Sequence, residues 1–323
     1  MTSVSTLGLQ LLSTTSLQAE QTNMALLSNQ LASNQQHNNL TDYSPLQAQQ
    51  LINFQGAITQ RQAYVSAMQT VSPRLSVYDS TMTDMESIAS QAAALANQNP
   101  SQDPSTTGVV QQQVVSFMQE AVADLNQQVG GRYIYAGTRY TTQPVNLNSV
   151  LTNFSPSATV TTNPDLPSYD SQFGTATPEQ EAQAWTNDSV AIDTGDNLTY
   201  GVSSVQGGFQ QLIAGMQFIN SATQPGTTAA DYKSDMSQGA ALLKTALTTI
   251  QTYHAGVASA INTVSNEQTT QQNDISTLQQ QIGNIQNVDL TQIGTELNLL
   301  QTQLQASYSA TATLTQESIL KYL

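Results

Sequence analysis

Apolar side chains recur in alternating steps of four and three near both ends of this chain, and nowhere between. Toward the C-terminus the rungs are Leu243, Leu247, Ile250, Val257, Ile261, Val264, Ile275, Leu278, Ile282 and Ile285. His254, Gln268 and Gln271 fill the intervening rungs, so the seam is continuous but partly polar, the pattern of a long helix that must pair with others. The same stepping runs through Phe54, Ala57, Tyr64, Met68, Val71, Leu75, Tyr78, Met82, Met85, Ala89, Ala92 and Ala96, with Arg61 on the polar rung. Two long helices with matching ladders predict each other as partners.

The remaining elements follow from weaker signals. From Leu7 to about Gln35, residues Leu11, Leu12, Leu17, Met24, Leu27 and Leu31 give an amphipathic helix whose polar face is mostly Gln, Ser and Asn. The stretch His37 to Pro45 reads as a loop, because Pro45 biases Ser44 away from the helical region. A helix resumes near Leu46 and should run to Asn99. Pro73 falls inside it, at a cost of roughly 3 kcal/mol if the helix stays intact, so a kink is expected, or a split with Ser72 as cap. After a turn over Asn97 to Gly108, Val115, Met118, Val122, Leu125 and Val129 predict a helix that ends at Gly130 and Gly131.

Arg132 to Gly137 has the aromatic and β-branched content of a short strand packed on the helices. Between Thr141 and about Gly207, Ser189 to Ile192 and Leu198 to Val202 flank Asp193-Thr-Gly-Asp, which predicts a hairpin with a glycine turn. Helical spacing returns at Phe209, Leu212, Ile213, Met216 and Ile219, and the long C-terminal helix should begin around Asp231. At Val288 to Leu290 the register shifts and restarts as Ile293, Leu297, Leu300, Leu304 and Tyr308. Asp289 with Gln292 three residues on is a capping-box pattern for a fresh helix. The fold class expected is mainly α: an elongated coiled-coil-like bundle of N- and C-terminal helices, with a short β-hairpin and an inserted α+β middle domain. The expected domains are 1–45 with 289–323, 46–140 with 231–288, and an outward-facing partly β insertion over 141–230.

Composition narrows the function. Hydrophobic residues at 38% and aromatics at 6% suit bundles better than one large compact core. Seven Lys plus Arg stand against 22 Asp plus Glu, and the net charge of −15 repels nucleic-acid phosphates and anionic lipid headgroups. The absence of cysteine excludes disulfides, thiolate metal sites and a cysteine nucleophile. Met1 to Glu20 shows no signal-peptide pattern, and no run approaches the roughly eighteen apolar residues of a membrane span.

Candidate chemistry is sparse. His254 sits on a seam rung with no carboxylate cluster evident near it in sequence, so it reads as a hydrogen-bonded seam residue, and no metal site or cofactor is expected. Glu179 and Glu181, near Trp185, read as stabilising a helix N-terminus in place of forming a catalytic pair. No nucleophile-elbow, phosphate-loop or zinc-protease motif is present, so an enzyme is not expected. Arg132 and Arg139 stand out because basic residues are scarce; pairing with local carboxylates, stacking on Tyr133 or Tyr140, and contact between subunits are open alternatives. Met68, Met82 and Met85 read as core packing.

The stretch Val129-Gly-Gly-Arg-Tyr-Ile-Tyr-Ala-Gly-Thr-Arg-Tyr-Thr-Thr-Gln-Pro-Val145 and the ending Leu304 to Leu323, closing on Ser-Ile-Leu-Lys-Tyr-Leu, resemble the bacterial flagellin superfamily and, within it, the hook-filament junction proteins. Asn287-Val-Asp-Leu290 and Gly195-Asp-Asn-Leu-Thr-Tyr-Gly-Val202 followed by Phe209 are similar to the same family. The chain departs from the family pattern at its second residue, which is Thr in place of Arg, and at Leu31 to His37, which lacks the usual basic residues. Pro45, after Asp42-Tyr-Ser, leans toward a junction protein over flagellin.

The resemblance implies a structural, self-assembling component of the extracellular flagellum that joins hook to filament, exported through the flagellar type III apparatus without a cleaved signal. Its implied partners are its own copies, a neighbouring hook-associated protein, flagellin and an export chaperone, with no nucleic acid and no membrane insertion. Flagellin itself is the nearest alternative, and a cytoplasmic coiled-coil adaptor the next. Assembly is expected to rest on Leu9, Leu12, Leu27, Leu31, Ile293, Leu297, Leu300, Leu304, Tyr308, Leu320 and Leu323 of the terminal helices. A core turn motif is expected at Gly130, Gly131, Arg132, Tyr133, Tyr135 and Gly137. Weakly apolar terminal helices bury too little to offset ordering at about 1–2 kcal/mol per residue, so they should gain order chiefly on assembly.

Overall fold

A computed structural model describes residues 3–103, 105–152 and 186–320. The protein is mainly α, with two small antiparallel hairpins among the described residues. The helices are α1 (Ser3–Ser33), α2 (Pro45–Gln98), α3 (Thr107–Leu125), α4 (Leu147–Thr152), α5 (Gly207–Ala222), α6 (Ala229–Gln286) and α7 (Leu290–Leu320). The strands are β1 (Gln128–Val129), β2 (Arg132–Tyr133), β3 (Ser189–Asp193) and β4 (Asp196–Thr199). The chain divides into two compact units, one of residues 1–60 with 273–323 and one of residues 61–272.

Local chemistry fixes the helix ends. Ser44 and Gln47 form a reciprocal capping box at the start of α2: the Gln47 amide donates to Ser44 Oγ at 3.4 Å and the Ser44 amide donates to Gln47 Oε1 at 3.3 Å. Pro45 takes the first helical position, where its missing N–H costs nothing. At the start of α7, Asp289 Oδ1 accepts from the amides of Thr291 at 2.8 Å and Gln292 at 3.2 Å. Only half of the expected box forms there, because Gln292 turns its side-chain amide to Glu296 at 2.9 Å.

Pro73 neither splits α2 nor makes Ser72 a cap, since the helix runs through it and Ser72 Oγ donates to the Met68 carbonyl at 2.9 Å. The proline lies on an exposed face, as does Gln69, so water can satisfy the carbonyl that Pro73 cannot. The glycine pair also differs from expectation. Helix α3 stops at Leu125, Val129 belongs to β1, and Gly130 (φ 61°) and Gly131 (φ 76°) make the two-residue turn that joins β1 to β2. Two successive positive φ angles are what such a hairpin turn demands and what only glycine adopts freely. The second hairpin forms where expected, with Gly195 at φ 78° in its turn, but β4 ends at Thr199 and Tyr200 continues as buried irregular chain.

In the 61–272 unit, α2 and α6 run antiparallel. Arg61 bonds Gln271, His254 bonds Asp79 and Glu86, and Tyr232 bonds the Asn99 carbonyl, so positions climb on one helix as they fall on the other. That register brings Leu75 level with Val257 and Met82 level with Ile250, all buried in one core. Helix α5 is apolar on nearly every side and is correspondingly buried, packing on α3 and α4.

Helices α5 and α6 touch backbone to backbone. A Cβ added at Gly239 would lie 2.7 Å from the Gly215 carbonyl oxygen, and one at Gly215 would lie 2.7 Å from Leu243 Cγ. Backbone cannot yield as a side chain can. Gly239→Ala is therefore expected to destabilise the 61–272 unit by about 1–3 kcal/mol despite alanine's better helix propensity, measured by urea denaturation against the control Gly256→Ala, where the added methyl meets nothing within 4 Å.

Candidate assembly site

The terminal unit joins its helices through polar contacts as well as buried apolar side chains. Helices α1 and α7 pack together, with Ser13 Oγ 2.7 Å from Thr311 Oγ1, Gln21 Nε2 donating to the Tyr308 hydroxyl at 2.7 Å and Ser307 Oγ donating to Glu20 at 3.3 Å. The Gln36 amide donates to the Gln286 carbonyl, tying the segment after α1 to the end of α6. Of the expected assembly residues, Ile293, Leu300 and Leu304 are buried. Leu27 and Leu297 are half-buried, while Leu12, Leu31 and Tyr308 are exposed. The side chains of Leu9 and Leu320, and Leu323 entirely, lie outside the described residues, as do Glu179, Glu181 and Trp185.

Exposure marks the two units apart. Twelve large hydrophobic residues are exposed among those described, and ten belong to the terminal unit: Leu11, Leu12, Leu26, Leu31, Leu40, Leu46, Ile52, Leu290, Leu299 and Tyr308. Leu12 and Leu46 each show 71% of their surface. Leu26 and Leu299 escape the sequence reading because each adjoins a leucine already assigned to the apolar face, whereas Leu11 belongs to that reading beside Leu12. Neighbours in sequence cannot share one helix face, so the doublets Leu11-Leu12, Leu26-Leu27 and Leu299-Leu300 were the available signal of a second apolar face. Apolar surface gathered this way normally marks a place where another surface docks.

The core turn motif lies wholly in the 61–272 unit. Tyr135 is fully buried, edge-on to Tyr78 with ring centroids 4.8 Å apart and to Phe209 at 5.4 Å. Its hydroxyl is 2.6 Å from Thr81 Oγ1, and its carbonyl accepts from the Ser204 amide at 2.8 Å. Tyr78 donates to the Ile134 carbonyl. The β1–β2 hairpin and the Gly137 turn (φ 57°) thus hold Tyr135 between α2 and α5. Arg132 makes local contacts: its guanidinium carbon lies 3.6 Å from the centre of the Tyr140 ring, and Nη2 is 3.9 Å from Asp188. Tyr133 is half-buried, and its amide donates to the Tyr140 carbonyl at 2.9 Å. Asn126 closes the motif by pairing its side-chain amide with both the N–H and the C=O of Val145.

The polar rungs of the two ladders find one another. Arg61 Nη1 donates to Gln271 Oε1 at 2.7 Å, and the buried Gln271 amide donates to the Ile192 carbonyl at 3.2 Å. His254 is hydrogen-bonded on the seam as expected, but two carboxylates from two turns of α2, which the sequence reading did not place there, face it: Glu86 at 2.7 Å from Nδ1 and Asp79 at 3.0 Å from Nε2. A helical spacing of seven residues aligns those carboxylates on one face, a signal the ladder held. Among the described residues no three His, Cys, Asp or Glu come together as a metal site.

His254 and Asp124 both favour acid. Burial alone would lower the His254 pKa, but hydrogen bonds to Glu86 and Asp79 overcome it and raise the pKa. Stability from this contact is therefore complete below the ordinary histidine value and is lost as pH rises through the folded one. Burial, with Asp84 and Glu120 nearby, pushes Asp124 up to about 7. The folded state then holds a proton that the unfolded chain has released, so stability falls between about pH 4 and 7. The 61–272 unit is expected to resist urea better at pH 5 than at pH 8. Asp124→Asn should flatten the acid part of that slope and His254→Gln the neutral part, and unchanged slopes in both variants would contradict the assignment.

Residues 240–323 match the family model of the bacterial flagellin C-terminal helical region. That segment is flagellin-like. It covers the ladder half of α6, the Asp289 cap and α7. Among solved structures, a protein assigned as a flagellar hook-associated protein from Vibrio parahaemolyticus shares the fold at TM-score 0.55 and 11% identity, over 76% of this chain and 100% of that one. FlgL of Xanthomonas campestris aligns at TM-score 0.48 and 13% identity, over 71% of this chain and 98% of its own. Comparison with curated protein sequences gave no match. No described helix is long and apolar enough to cross a membrane.

Proposed function

We propose that this chain is a structural subunit of the bacterial flagellum, in the class that joins hook to filament. The observation that carries the reading is the exposed apolar surface concentrated in the unit built from both chain ends. Such surface serves a subunit covered by its neighbours and penalises a solitary protein. The flagellin-like C-terminal segment and the fold shared with the Vibrio parahaemolyticus protein support the same reading. In it, the residue sets 1–45 with 289–323, 46–140 with 231–288, and 141–230 act as assembly, core and outward-facing parts. The chain leaves the cell through the flagellar export apparatus with a chaperone on its C-terminal helix, and the tyrosine-centred turn is structural.

Deletion of the gene should leave hooks without attached filaments by electron microscopy, with filament protein shed into the medium, and an inactive export gate should hold the chain inside the cell. Filaments of normal length on hooks of the deletion strain would overturn the reading. The flagellin C-terminal match also favours a second reading, the filament subunit itself. Copy number separates the two: immunogold label confined to the hook tip supports the junction, whereas label along the filament supports flagellin.

A further inference from the structure

The 61–272 unit has a groove whose character differs from the rest of this acidic molecule. Its volume is about 750 Å³, and it lies between the last turns of α2 and the first turns of α6, floored by alanines such as Ala93, Ala94, Ala240 and Ala241. Lys233 and Lys244 stand on its wall. Eleven residues apart, they sit three turns apart on one face of α6. They are the only lysines among the described residues, and both are exposed. Three of the four arginines are engaged within the unit, by Gln271, Tyr200 and Asp188, and Arg139 is not free either. Neither lysine ammonium has a hydrogen-bond or ion-pair partner among the described residues.

The complementary charge sits on the other side of α2. Asp84 and Glu120 are exposed, one on α2 and one on α3, and both act on Asp124; neither has a cation partner among the described residues. At 100° per residue Asp84 is half a turn from Ala93, so the acidic face and the groove point away from each other. One copy cannot satisfy itself. A contact of this kind joins unlike faces, front to back, and such contacts propagate into rings or helical arrays.

We propose that the groove flanked by Lys233 and Lys244 docks the Asp84 and Glu120 face of a second copy of this chain. The alanine floor permits close approach of a helix, and the lysines set its register by pairing with carboxylates that are otherwise uncompensated. This rests on the reading that copies assemble, and names a contact outside the terminal unit that fixes the order of neighbours.

The chain has no cysteine, which makes the test clean. Full-length Ser237→Cys, in the groove, and Gln119→Cys, beside Glu120, are prepared separately, mixed at low ionic strength and oxidised. The mixed disulfide dimer should exceed either same-variant dimer, and Lys233→Glu with Lys244→Glu in the first partner should cut its yield at least tenfold. Asp84→Lys with Glu120→Lys in the second partner should restore it. Circular dichroism should be unchanged throughout, because all four side chains are exposed. A yield indifferent to charge reversal, a predominance of same-variant dimers, or no self-association by sedimentation at any concentration would each overturn the proposal. The test needs no flagella. A deletion strain with normal flagella, together with a charge-dependent mixed dimer, would sink the flagellar reading and leave this contact standing.

Discussion

Tyr135→Ala is expected to destabilise the 61–272 unit by roughly 3–5 kcal/mol, the range for truncating a fully buried large aromatic. In a unit of this size that is a fall of about 10 °C in melting temperature. The tyrosine contributes through three separate contacts, so the loss is large. Its ring meets Tyr78 and Phe209 edge-on, its hydroxyl meets Thr81, and it carries the chain that the Tyr78 hydroxyl and the Ser204 amide grip through the Ile134 and Tyr135 carbonyls. Tyr135→Phe keeps the ring and removes only the hydroxyl contact, for a loss of about 1 kcal/mol, because Thr81 retains the Val77 carbonyl as acceptor. Differential scanning calorimetry of the two variants separates packing from hydrogen bonding. Equal losses would show that the hydroxyl pair, and not the aromatic cluster, holds the turn.

The second large effect concerns assembly and leaves the solitary molecule untouched. Leu12, Leu26 and Leu299 are 71%, 52% and 60% exposed, so the triple change to serine removes little from the folded chain. If neighbouring copies cover these side chains, each leucine forfeits about 1.5 kcal/mol or more of burial. Three together amount to roughly a thousandfold rise in the concentration at which polymer forms. Light scattering on wild type and variant reads this directly, with circular dichroism as the control for folding. A variant that polymerises as wild type does would show that other surfaces carry the contact.

The sequence revealed the long elements more readily than the short ones, for physical reasons. The ladders through Leu75 and Met82, and through Ile250 and Val257, mark helices because an unbroken four-three rhythm over many turns has no competing explanation. The polar rungs showed where helices would pair, though not with what. That Arg61 meets Gln271, and that His254 meets Asp79 and Glu86, depends on the antiparallel register, which a rhythm alone does not set. The glycine pair was seen but misplaced: a helix end and a hairpin turn both call for positive φ, and only the pairing of Gln128 with Tyr133 decides between them. Pro73 predicts a kink or a split because its cost is legible in the sequence, whereas the exposed face that lowers that cost is not.

For the candidate site the sequence marks the apolar positions of the terminal helices but not which of them stay exposed. Ile293, Leu300 and Leu304, expected among the assembly residues of the paired terminal helices, are buried within one chain, where α1 packs on α7. On α1 and α7 the exposed set is Leu11, Leu12, Leu26, Leu31, Leu290, Leu299 and Tyr308. A ladder reports the stronger apolar face, which an intramolecular partner takes first, and the residual leucines beside it report what remains for another molecule. The same distinction explains the weakness of α1 as a solitary helix, since its contacts with α7 run through Ser13, Gln21 and Glu20 as well as through apolar side chains.

The central claim is that the terminal unit owes its lasting order to neighbouring copies. Hydrogen exchange, followed by mass spectrometry on the full chain at one pH and temperature, compares amides of α1 and α7 in dilute monomer and in assembled material, with α5 as the internal reference. The account predicts rapid exchange in α1 and α7 of the monomer, at least a hundredfold slowing on assembly, and slow exchange in α5 in both states. Terminal helices already as protected in the monomer as α5 would contradict it.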